Sequence, residues 1–240
     1  NAKKLLGVKN FSLTVHAGEI VGLAGVDGNG QTELVEAICG LVPAESGSVI
    51  IGGTDATNLT VRKRNELGLG HIPEDRIKRG LIASLRIAEN MVVKSYYRKP
   101  FSGNGILNFP EINSYSEEIV RKFDVRSGEG INSPAGKLSG GNQQKMIVGR
   151  EISMNPELLI AVQPTRGLDV GAIEYIHSQI VAHRDKGNAV LLVSLELDEI
   201  FNLSDRIAVI SGGELMNIVD TASTDEHSVG LMMAGVRDKK

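Results

Sequence analysis

Residues 19–39 read EIVGLAGVDGNGQTELVEAIC, and this stretch decides the fold. A short apolar run ends at Ala24 and enters a turn rich in glycine. The residues after the turn repeat aliphatic side chains at helical spacing, and Gly40 follows as the expected end of that helix. A buried strand, a glycine turn and a helix in this order predict the opening of a parallel α/β unit.

The composition is that of a globular chain, with 41% hydrophobic and 23% charged residues among 240. The net charge of −3, from 26 basic and 29 acidic side chains, argues against a nucleic acid as the main partner. A single cysteine, Cys39, excludes a disulfide framework and a cysteine zinc cluster, and it fits a reducing compartment. No apolar run approaches the roughly 18 to 20 residues that cross a bilayer, and no signal sequence opens the chain. We therefore expect a soluble, cytoplasmic chain.

The glycine turn fits the phosphate-loop pattern from Gly25 through Gly30 to Thr32 at every fixed position except the lysine. The glycines let backbone N–H groups point at phosphate oxygens, and the following helix adds its N-terminal partial positive charge. Thr32 occupies the position of the hydroxyl that contacts Mg²⁺. Gln31 replaces the ammonium that reaches the β- and γ-phosphates, so we expect weaker binding and poorer charge neutralisation. A plain glycine turn without a ligand is the alternative.

Later apolar runs are short, aliphatic and bounded by turn residues, as expected of strands buried on both faces. They are residues 158–162, 189–193 and 207–210. Helical patterns cover residues 111–123 and 171–184, and antiparallel-looking strands near 10–17 and 46–54 predict a small side layer. Residues 84–150, which are rich in proline and glycine loops, predict a mostly helical insertion into the α/β core.

A second glycine cluster lies just before a helix, in LSGGNQQK at residues 138–145. Ser139, Gly140 and Gly141 would form a second anion-binding helix terminus, with an ordinary helix cap as the alternative. This stretch resembles the signature motif of ATP-binding cassette (ABC) proteins. The other segments that resemble the family stand in its order: the phosphate loop at 25–32, a glutamine-loop segment at 71–76, a Walker B and D-loop segment at 158–169, and a switch segment at 192–196. The resemblance runs from about residue 7 to Gly235.

The resemblance can be narrowed by PTRGLDVGA at 164–172, EDR at 74–76 and VGLMMAG at 229–235. These look like the second cassette of bacterial carbohydrate-uptake ATPases, and residues 160–169 are most like the purine-nucleoside group. The resemblance implies an α/β, P-loop NTPase core with a parallel sheet, a small antiparallel β layer and an inserted helical subdomain. One nucleotide-binding domain would cover residues 1–240. Its α/β core would be 1–83 and 151–240, and its helical subdomain, with the signature motif, 84–150.

The family hydrolyses ATP at a site shared by two cassettes, so the resemblance implies ATP and Mg²⁺ as cofactors. The implied nucleotide contacts lie in the phosphate loop, the signature motif and the D-loop: Gly25, Asp27, Gly28, Asn29, Gly30, Gln31, Thr32, Glu33, Ser139, Gly140, Gly141, Asn142, Gln143 and Asp169. Thr32 and Glu74, the latter at the glutamine-loop position, are the implied weak Mg²⁺ contacts. Asp169 would help two cassettes communicate, with a structural turn aspartate as the alternative.

Three further catalytic positions of the family are altered in this chain. The Walker B aspartate is Val162, the following glutamate is Gln163 and the switch histidine is Leu195. Loss of a general base alone costs about 10²- to 10⁴-fold in rate. The aromatic residue that stacks on adenine is expected before or within residues 1–6, where none is present. We therefore predict that the chain's own site is degenerate, that its signature helix completes the site of a partner cassette, and that the isolated domain is weak or inactive as an ATPase.

The sequence thus predicts the ATP-binding module that energises the import of sugars or nucleosides at the cytoplasmic face of a bacterial cell membrane. The implied partners are a second nucleotide-binding domain of the same subunit, membrane permease subunits and, indirectly, a substrate-binding protein, with no nucleic acid. A non-catalytic regulatory or dimerisation module is one alternative. A soluble ABC ATPase of translation or DNA repair is another, and the acidic balance and the absence of arm or coiled-coil insertions count against it.

Overall fold

The apolar run before the phosphate loop forms a strand and the residues after it form a helix in the computed structural model, which describes residues 7–236. The strand, Ile20–Ala24, is buried at every residue. The helix, Gln31–Cys39, ends at Gly40, whose φ of 75° places it in the left-handed region where glycine carries no steric penalty. The predicted strand, turn and helix are therefore confirmed.

The strands found within residues 7–236 form one large sheet and two small ones. In chain order they are β1 (Ile20–Ala24), β2 (Ile50–Ile51), β3 (Thr54–Asp55), β4 (Leu69–Ile72), β5 (Ser102–Gly103), β6 (Ile106–Leu107), β7 (Leu158–Val162), β8 (Ala189–Ser194), β9 (Arg206–Ser211) and β10 (Glu214–Asp220). The large sheet has the order β10-β9-β1-β8-β7-β4, in which β1 pairs in parallel with β8 and β9, and β7 with β8. Its edge strand β10 pairs antiparallel with β9. The later predicted strands are β7, β8 and β9, and the predicted α/β class with a parallel sheet is confirmed.

The helices complete the α/β pattern. They are α1 (Gln31–Cys39), α2 (Val61–Glu66), α3 (Ile87–Val92), α4 (Phe109–Lys122), α5 (Gly140–Ser153), α6 (Val170–Arg184), α7 (Leu197–Leu203) and α8 (Glu226–Met233). A π-helical turn covers Arg76–Gly80, and short 3-10 turns cover Gly130–Asn132, Ala135–Lys137 and Thr221–Ser223. The helices predicted at 111–123 and 171–184 correspond to α4 and α6. In the structure α4 starts two residues earlier than predicted and α6 one residue earlier.

The small antiparallel layer differs from the prediction in its first strand. Residues 10–17 form no strand, although Phe11, Leu13 and Val15 alternate as expected and pack, partly buried, against the core. An alternating pattern indicates that every second side chain is buried. In residues 10–17 that burial occurs although the segment does not pair with another strand. The second predicted strand is present as the short hairpin of β2 and β3.

The chain divides into two compact units. Within the described residues, the core unit comprises residues 7–71, 156–163 and 180–236, and the helical unit comprises Ile72–Asn155 and Pro164–Gln179. These boundaries differ from the predicted 84–150, because the segment after Ile72 packs in the helical unit: a Cβ placed on Gly80 would lie 2.6 Å from Cδ1 of Ile147. The predicted single nucleotide-binding domain stays a prediction. The predicted adenine-stacking position lies outside the described residues.

Each unit has its own apolar core. In the core unit, aliphatic side chains of β1, β7, β8 and β9 pack with side chains of α1, among them the buried Cys39. In the helical unit, Ala88 and Val92 of α3 pack with Ile112 of α4 and with Phe101. Within residues 7–236, no helix is both long and apolar enough to cross a bilayer.

Candidate functional site

The phosphate loop of the core unit has the backbone shape that its glycines predict. Gly28 and Gly30 have φ values of 80° and 109°, and Gly30 caps the start of α1. A side chain at Gly30 would collide with the carbonyl oxygen of Gly7, so the position requires glycine. The backbone N–H groups of Gly28, Gly30, Gln31 and Thr32 donate to no partner among residues 7–236. They are therefore available to an anion at the positive end of α1.

Gln31, at the lysine position, is folded onto the loop itself. Its Nε2 donates a hydrogen bond to the backbone carbonyl of Val26 at 3.0 Å, and only 7% of the residue is exposed. A Cβ placed on Gly25 would lie 2.6 Å from the same Nε2, so a side chain at Gly25 would displace the amide. The side chain thus braces the loop and brings no positive charge to it.

Asn29 fixes the loop to the turn between β9 and β10. Its Oδ1 accepts from the N–H of Gly212 at 2.6 Å, and its Nδ2 donates to the carbonyl of Val26 at 2.9 Å. Its own carbonyl accepts from the N–H of Gly213 at 2.9 Å. Asn29 therefore shapes the cradle, and its predicted contact with nucleotide stays a prediction. The three remaining predicted contacts here are exposed: Asp27, Thr32 and Glu33.

The altered catalytic positions emerge side by side at the carboxyl edge of the core sheet. Ala24 pairs with Ser194, and Val162 pairs with Val193, so the chain leaves β1, β7 and β8 at neighbouring points. This edge is where ligands bind in parallel α/β sheets. Val162 itself is buried, with 8% exposure, which suits an aliphatic side chain and leaves no carboxylate there.

Gln163 and Leu195 follow these strand ends. Gln163 has a φ of 48°, which is uncommon for a residue other than glycine, and its N–H donates to the carbonyl of Val193 at 2.8 Å. The Gln163 amide is a weak base, and Leu195, which is 39% exposed, has no titratable group. The strand ends therefore present an amide and an aliphatic side chain at these two positions, and neither is an acid or a base at neutral pH.

The signature turn lies in the helical unit, at the start of α5. Ser139 caps the helix, because its Oγ accepts from the N–H of Asn142 at 3.4 Å and from the Nδ2 of Asn142 at 2.9 Å. Within residues 7–236, the N–H groups of Gly140 and Gly141 donate to no partner. These two N–H donors are thus brought together at one helix terminus, as the motif predicts.

The next two predicted contacts support this turn from inside. The Oδ1 of Asn142 accepts from the N–H of Arg126 at 2.8 Å, and the Nε2 of Gln143 donates to the carbonyl of Ala135 at 3.4 Å. Gln143 is buried, with 5% exposure. Both side chains are therefore engaged with the protein, and their predicted contact with nucleotide stays a prediction.

The glutamine-loop and D-loop positions also lie in the helical unit. Glu74 forms an ion pair with Nη1 of Arg166, and Arg76 donates from Nη1 to the carbonyl of Arg166 at 3.1 Å. Asp169 caps α6, with its Oδ1 accepting from the N–H of Ala172 at 2.9 Å. Neither arginine was predicted as a site residue, although both lie in the EDR and PTRG segments that carry the family resemblance.

The loop around Glu74 continues into the π-helical turn. Asp75 caps that turn, because its Oδ1 accepts from the N–H groups of Lys78 at 2.9 Å and Ile77 at 3.1 Å. The hydrogen bond from Lys78 is the main cause that holds the pKa of the Asp75 carboxyl below its ordinary value. Asp75 therefore stays ionised as a structural cap.

Metal ligands are sparse in the described part of the chain. No group of three or more histidine, cysteine, aspartate or glutamate side chains there could hold a metal ion. Thr32 belongs to the core unit and Glu74 to the helical unit, where it pairs with Arg166. Their predicted Mg²⁺ contacts stay predictions.

Comparison with known proteins places this geometry in a family. The ABC transporter family pattern matches residues 8–166. The nucleoside import ATP-binding protein NupA of Lactococcus lactis subsp. cremoris is 53% identical over 231 residues, which are 96% of this chain and 45% of that protein. The guanosine import ATP-binding protein NupO of Bacillus subtilis is 52% identical over 233 residues, which are 97% of this chain and 46% of that protein. This chain therefore spans less than half the length of these relatives.

Solved structures agree on the fold. An ATP-binding cassette solved as a dimer in a post-hydrolysis state, bound to ADP and Pi, superposes with a TM-score of 0.76 at 22% identity, over 90% of each chain. At that identity the likeness shows the fold alone. The family pattern and the two relatives carry the assignment, and they confirm the resemblance: the chain belongs to the ABC transporter family.

Proposed function

We propose that this chain is the second nucleotide-binding cassette of a two-cassette ATPase that energises the import of nucleosides or sugars. The names of the relatives NupA and NupO support nucleosides, and a glucose import ATP-binding protein of Haloferax volcanii, 43% identical, supports sugars. The chain covers 45% and 46% of the first two relatives, which leaves room in each for another cassette of similar length.

The observation that carries the proposal is the contrast between an open phosphate cradle and strand ends without an acid or base. The backbone N–H groups of Gly28, Gly30, Gln31 and Thr32 can hold phosphate oxygens. Val162, Gln163 and Leu195 supply neither a metal-binding carboxylate nor a general base. Since loss of the base alone costs about 10²- to 10⁴-fold in rate, this site binds nucleotide more readily than it hydrolyses it.

The signature turn has the opposite character, because its motif is complete. The cap at Ser139 leaves the N–H groups of Gly140 and Gly141 and the positive end of α5 for an anion. In the proposed pair of cassettes, that anion is the γ-phosphate of ATP bound to the partner. Such donors stabilise the charge on a transferring phosphoryl group, so this chain supplies half of its partner's active site.

The donor set of the chain's own site fits a nucleotide better than it fits Mg²⁺. The hydroxyl of Thr32 is exposed at the first turn of α1 and can contact a cation. Val162 cannot ligate one, and the carboxylate of Glu74 is paired with Arg166. Mg²⁺ prefers several oxygen ligands and binds through carboxylates and substrate phosphates. ATP would therefore be held mainly by backbone donors, and Mg²⁺ only weakly.

The remaining partners follow from the import function. We place the chain at the cytoplasmic face of the cell membrane, together with permease subunits and, indirectly, a substrate-binding protein. The other cassette of the same subunit is its partner at the shared ATP site. Support comes from the import roles named for the relatives.

The test uses a two-cassette protein that contains this chain, with Gly140→Glu as the variant. The glutamate places a bulky negative side chain at the anion-binding terminus, and we expect ATP turnover to fall about 10²-fold or more. Gly128→Glu is the matched control, because Gly128 lies in the same unit with a φ outside the left-handed region and nothing within 4 Å of an added Cβ. Turnover that is unchanged by Gly140→Glu would refute the complementing role.

A regulatory, non-catalytic module is the second candidate, and the altered residues Gln31, Val162, Gln163 and Leu195 favour it. In that case nucleotide at this chain would change partner affinity without taking part in turnover. Titration with a fluorescent ATP analogue, with and without Mg²⁺, separates an empty site from a binding one. Binding together with full turnover of Gly140→Glu would favour the regulatory role.

A further inference from the structure

Arg76 joins two loops of the helical unit that the sequence places far apart. Its Nη1 donates to the carbonyl of Arg166 in the D-loop at 3.1 Å. A Cβ placed on Gly140 in the signature turn would lie 3.0 Å from its Nη2. One guanidinium therefore lies against both segments. The side chain of Arg166 pairs in turn with Glu74, two residues before Arg76. We call Glu74, Arg76 and Arg166 the arginine clamp.

The end of the D-loop and the start of α6 also lie beside the signature turn. Asp169 caps α6, and its Oδ2 lies 3.9 Å from a Cβ placed on Gly141. Ala172 lies 3.6 Å from the same point. The starts of α5 and α6 are thus neighbours. A displacement of Arg166 would therefore displace the residues that lie beside Gly141.

The position of Arg76 beside the first residue of α5 does not stabilise that helix. A cation at the N-terminus of a helix opposes the helix dipole. In the part of the chain that the structure describes, Arg76 has no carboxylate partner: Glu74 pairs with Arg166, and Asp75 pairs with Lys78 at 3.7 Å. Its geometric contribution is to hold a backbone carbonyl of one loop beside the first residue of another.

We propose that the arginine clamp positions the signature turn and the D-loop as one body. Arg76 and the Glu74–Arg166 pair act through these segments as positioning residues and contact no reacting atom. The functional consequence rests on the proposed function, in which both segments face the partner cassette and must reach its ATP together. The clamp also ties them to the glutamine-loop position, so movement of that loop would be transmitted to both.

The first experiment measures amide hydrogen exchange in the two-cassette protein with Arg76→Ala. The reporters are the N–H groups of Gln143 and Ile173, which donate to the carbonyls of Ser139 and Asp169 in the two clamped segments. Loss of a charge-assisted hydrogen bond predicts about tenfold faster exchange at both. Arg121→Ala is the matched control, since Arg121 is exposed on α4 of the same unit and makes no contact with the clamp. Exchange in Arg76→Ala that equals this control would overturn the proposal.

Charge reversal tests the ion pair between Glu74 and Arg166. Glu74→Arg and Arg166→Glu each replace the pair with two like charges, and we expect each to speed exchange at both reporters. The double variant restores an opposite-charge pair and should recover protection. Arg76→Lys keeps the positive charge but loses the planar guanidinium. We expect the amides of Gln143 and Ile173 to exchange as fast in this variant as in Arg76→Ala. A double variant that exchanges as fast as the single variants would show that the pair does not hold the loops.

Steady-state kinetics add a readout that a purely structural role would not move. We expect Arg76→Ala to lower kcat about tenfold and to leave KM for ATP unchanged, because the partner's phosphate loop still binds the nucleotide. If Gly140→Glu leaves turnover intact while Arg76→Ala speeds exchange, the proposed function fails and the clamp stands. If Gly140→Glu abolishes turnover while Arg76→Ala changes neither exchange nor kcat, the clamp fails and the proposed function stands.

Discussion

The side-chain amide of Gln31 donates a hydrogen bond to the backbone carbonyl of Val26 at 3.0 Å, inside the loop that would hold nucleotide phosphates. The amide keeps the loop in shape, as a lysine ammonium could, but it carries no charge. Phosphate binding at this loop therefore depends on backbone N–H groups and the dipole of α1 alone. At position 31 the side chain supports the shape of the loop but adds no positive charge. Substitution of Gln31 can therefore test how much a positive charge adds to phosphate binding.

Gln31→Lys should strengthen nucleotide binding without creating an ATPase. Hydrogen bonds to charged groups contribute about 1.5–3 kcal/mol against about 0.5–1.5 for neutral ones, so we expect Kd for a fluorescent ATP analogue to fall about tenfold. Turnover at this site should stay at background because Gln163 and Leu195 are unchanged. Fluorescence titration and a phosphate-release assay measure the two outcomes.

Gln31→Met is the control for this prediction, since methionine has a similar length and no hydrogen-bond donor. We expect it to bind no better than the unsubstituted chain. Equal affinity of the lysine and methionine variants would contradict the charge argument. Robust hydrolysis by Gln31→Lys alone would show that Gln163 can serve where a glutamate is expected.

The sequence was most informative where periodicity and backbone demands agree. The run up to Ala24, the glycine turn and the helix to Cys39 could be predicted because burial, glycine conformations and helical spacing all favour one arrangement. The alternation over residues 10–17 was misleading, since burial of every second side chain does not require a paired strand. Local pattern reports burial better than it reports hydrogen-bond partners.

Glu74 shows a different limit, because its partner Arg166 is 92 positions away in the chain. A carboxylate at the glutamine-loop position is compatible with a cation, with water or with an arginine, and spacing alone does not choose among them. The same holds for Arg76, whose hydrogen bond to the carbonyl of Arg166 spans 90 positions of the chain. Contacts made by long, exposed side chains depend on the tertiary fold.

Arg64 was likewise hidden in a charged segment, yet it is 2% exposed. Its guanidinium donates to carbonyls at the end of α1 and in the loop before α2: Ala37 and Ile38 at 2.6 Å, Thr57 at 2.8 Å and Leu59 at 3.1 Å. We expect Arg64→Met to lower the free energy of unfolding by about 3 kcal/mol, because it leaves buried acceptors unpaired. Urea denaturation monitored by circular dichroism measures the change.

Two further variants separate the hydrogen bonds of Arg64 from its charge. Arg64→Lys keeps the charge and fewer donors, so we expect an intermediate loss. Arg121→Met, at an exposed position in α4, should change stability by less than about 0.5 kcal/mol. A loss for Arg64→Met no greater than that of Arg121→Met would mean that water satisfies the carbonyls instead.

His183, near the end of α6, makes stability depend on pH. The residue is 1% exposed, and burial lowers the pKa of its imidazole below the ordinary value of 6.5. In the unfolded chain the imidazole of His183 binds a proton as pH falls through about 6.5, whereas in the folded chain it stays neutral to lower pH. Its contribution is therefore fully present above that pH and is lost as pH falls from 6.5 toward the folded pKa, by up to about 1.4 kcal/mol per pH unit.

The comparison of His183→Gln with the unsubstituted chain isolates this contribution from those of the other titrating groups. Glutamine in the buried site costs stability at pH 7.5, but it takes up no proton in either state. We therefore expect the stability difference between the two proteins to shrink as pH falls from 7.5 to 5.5, measured by urea denaturation at both values. His227→Gln removes an imidazole at an exposed position in α8, and it is the matched control against which the change for His183→Gln is compared. If the difference for His183→Gln stays constant over this range, the buried imidazole is protonated in the folded protein and burial does not govern it.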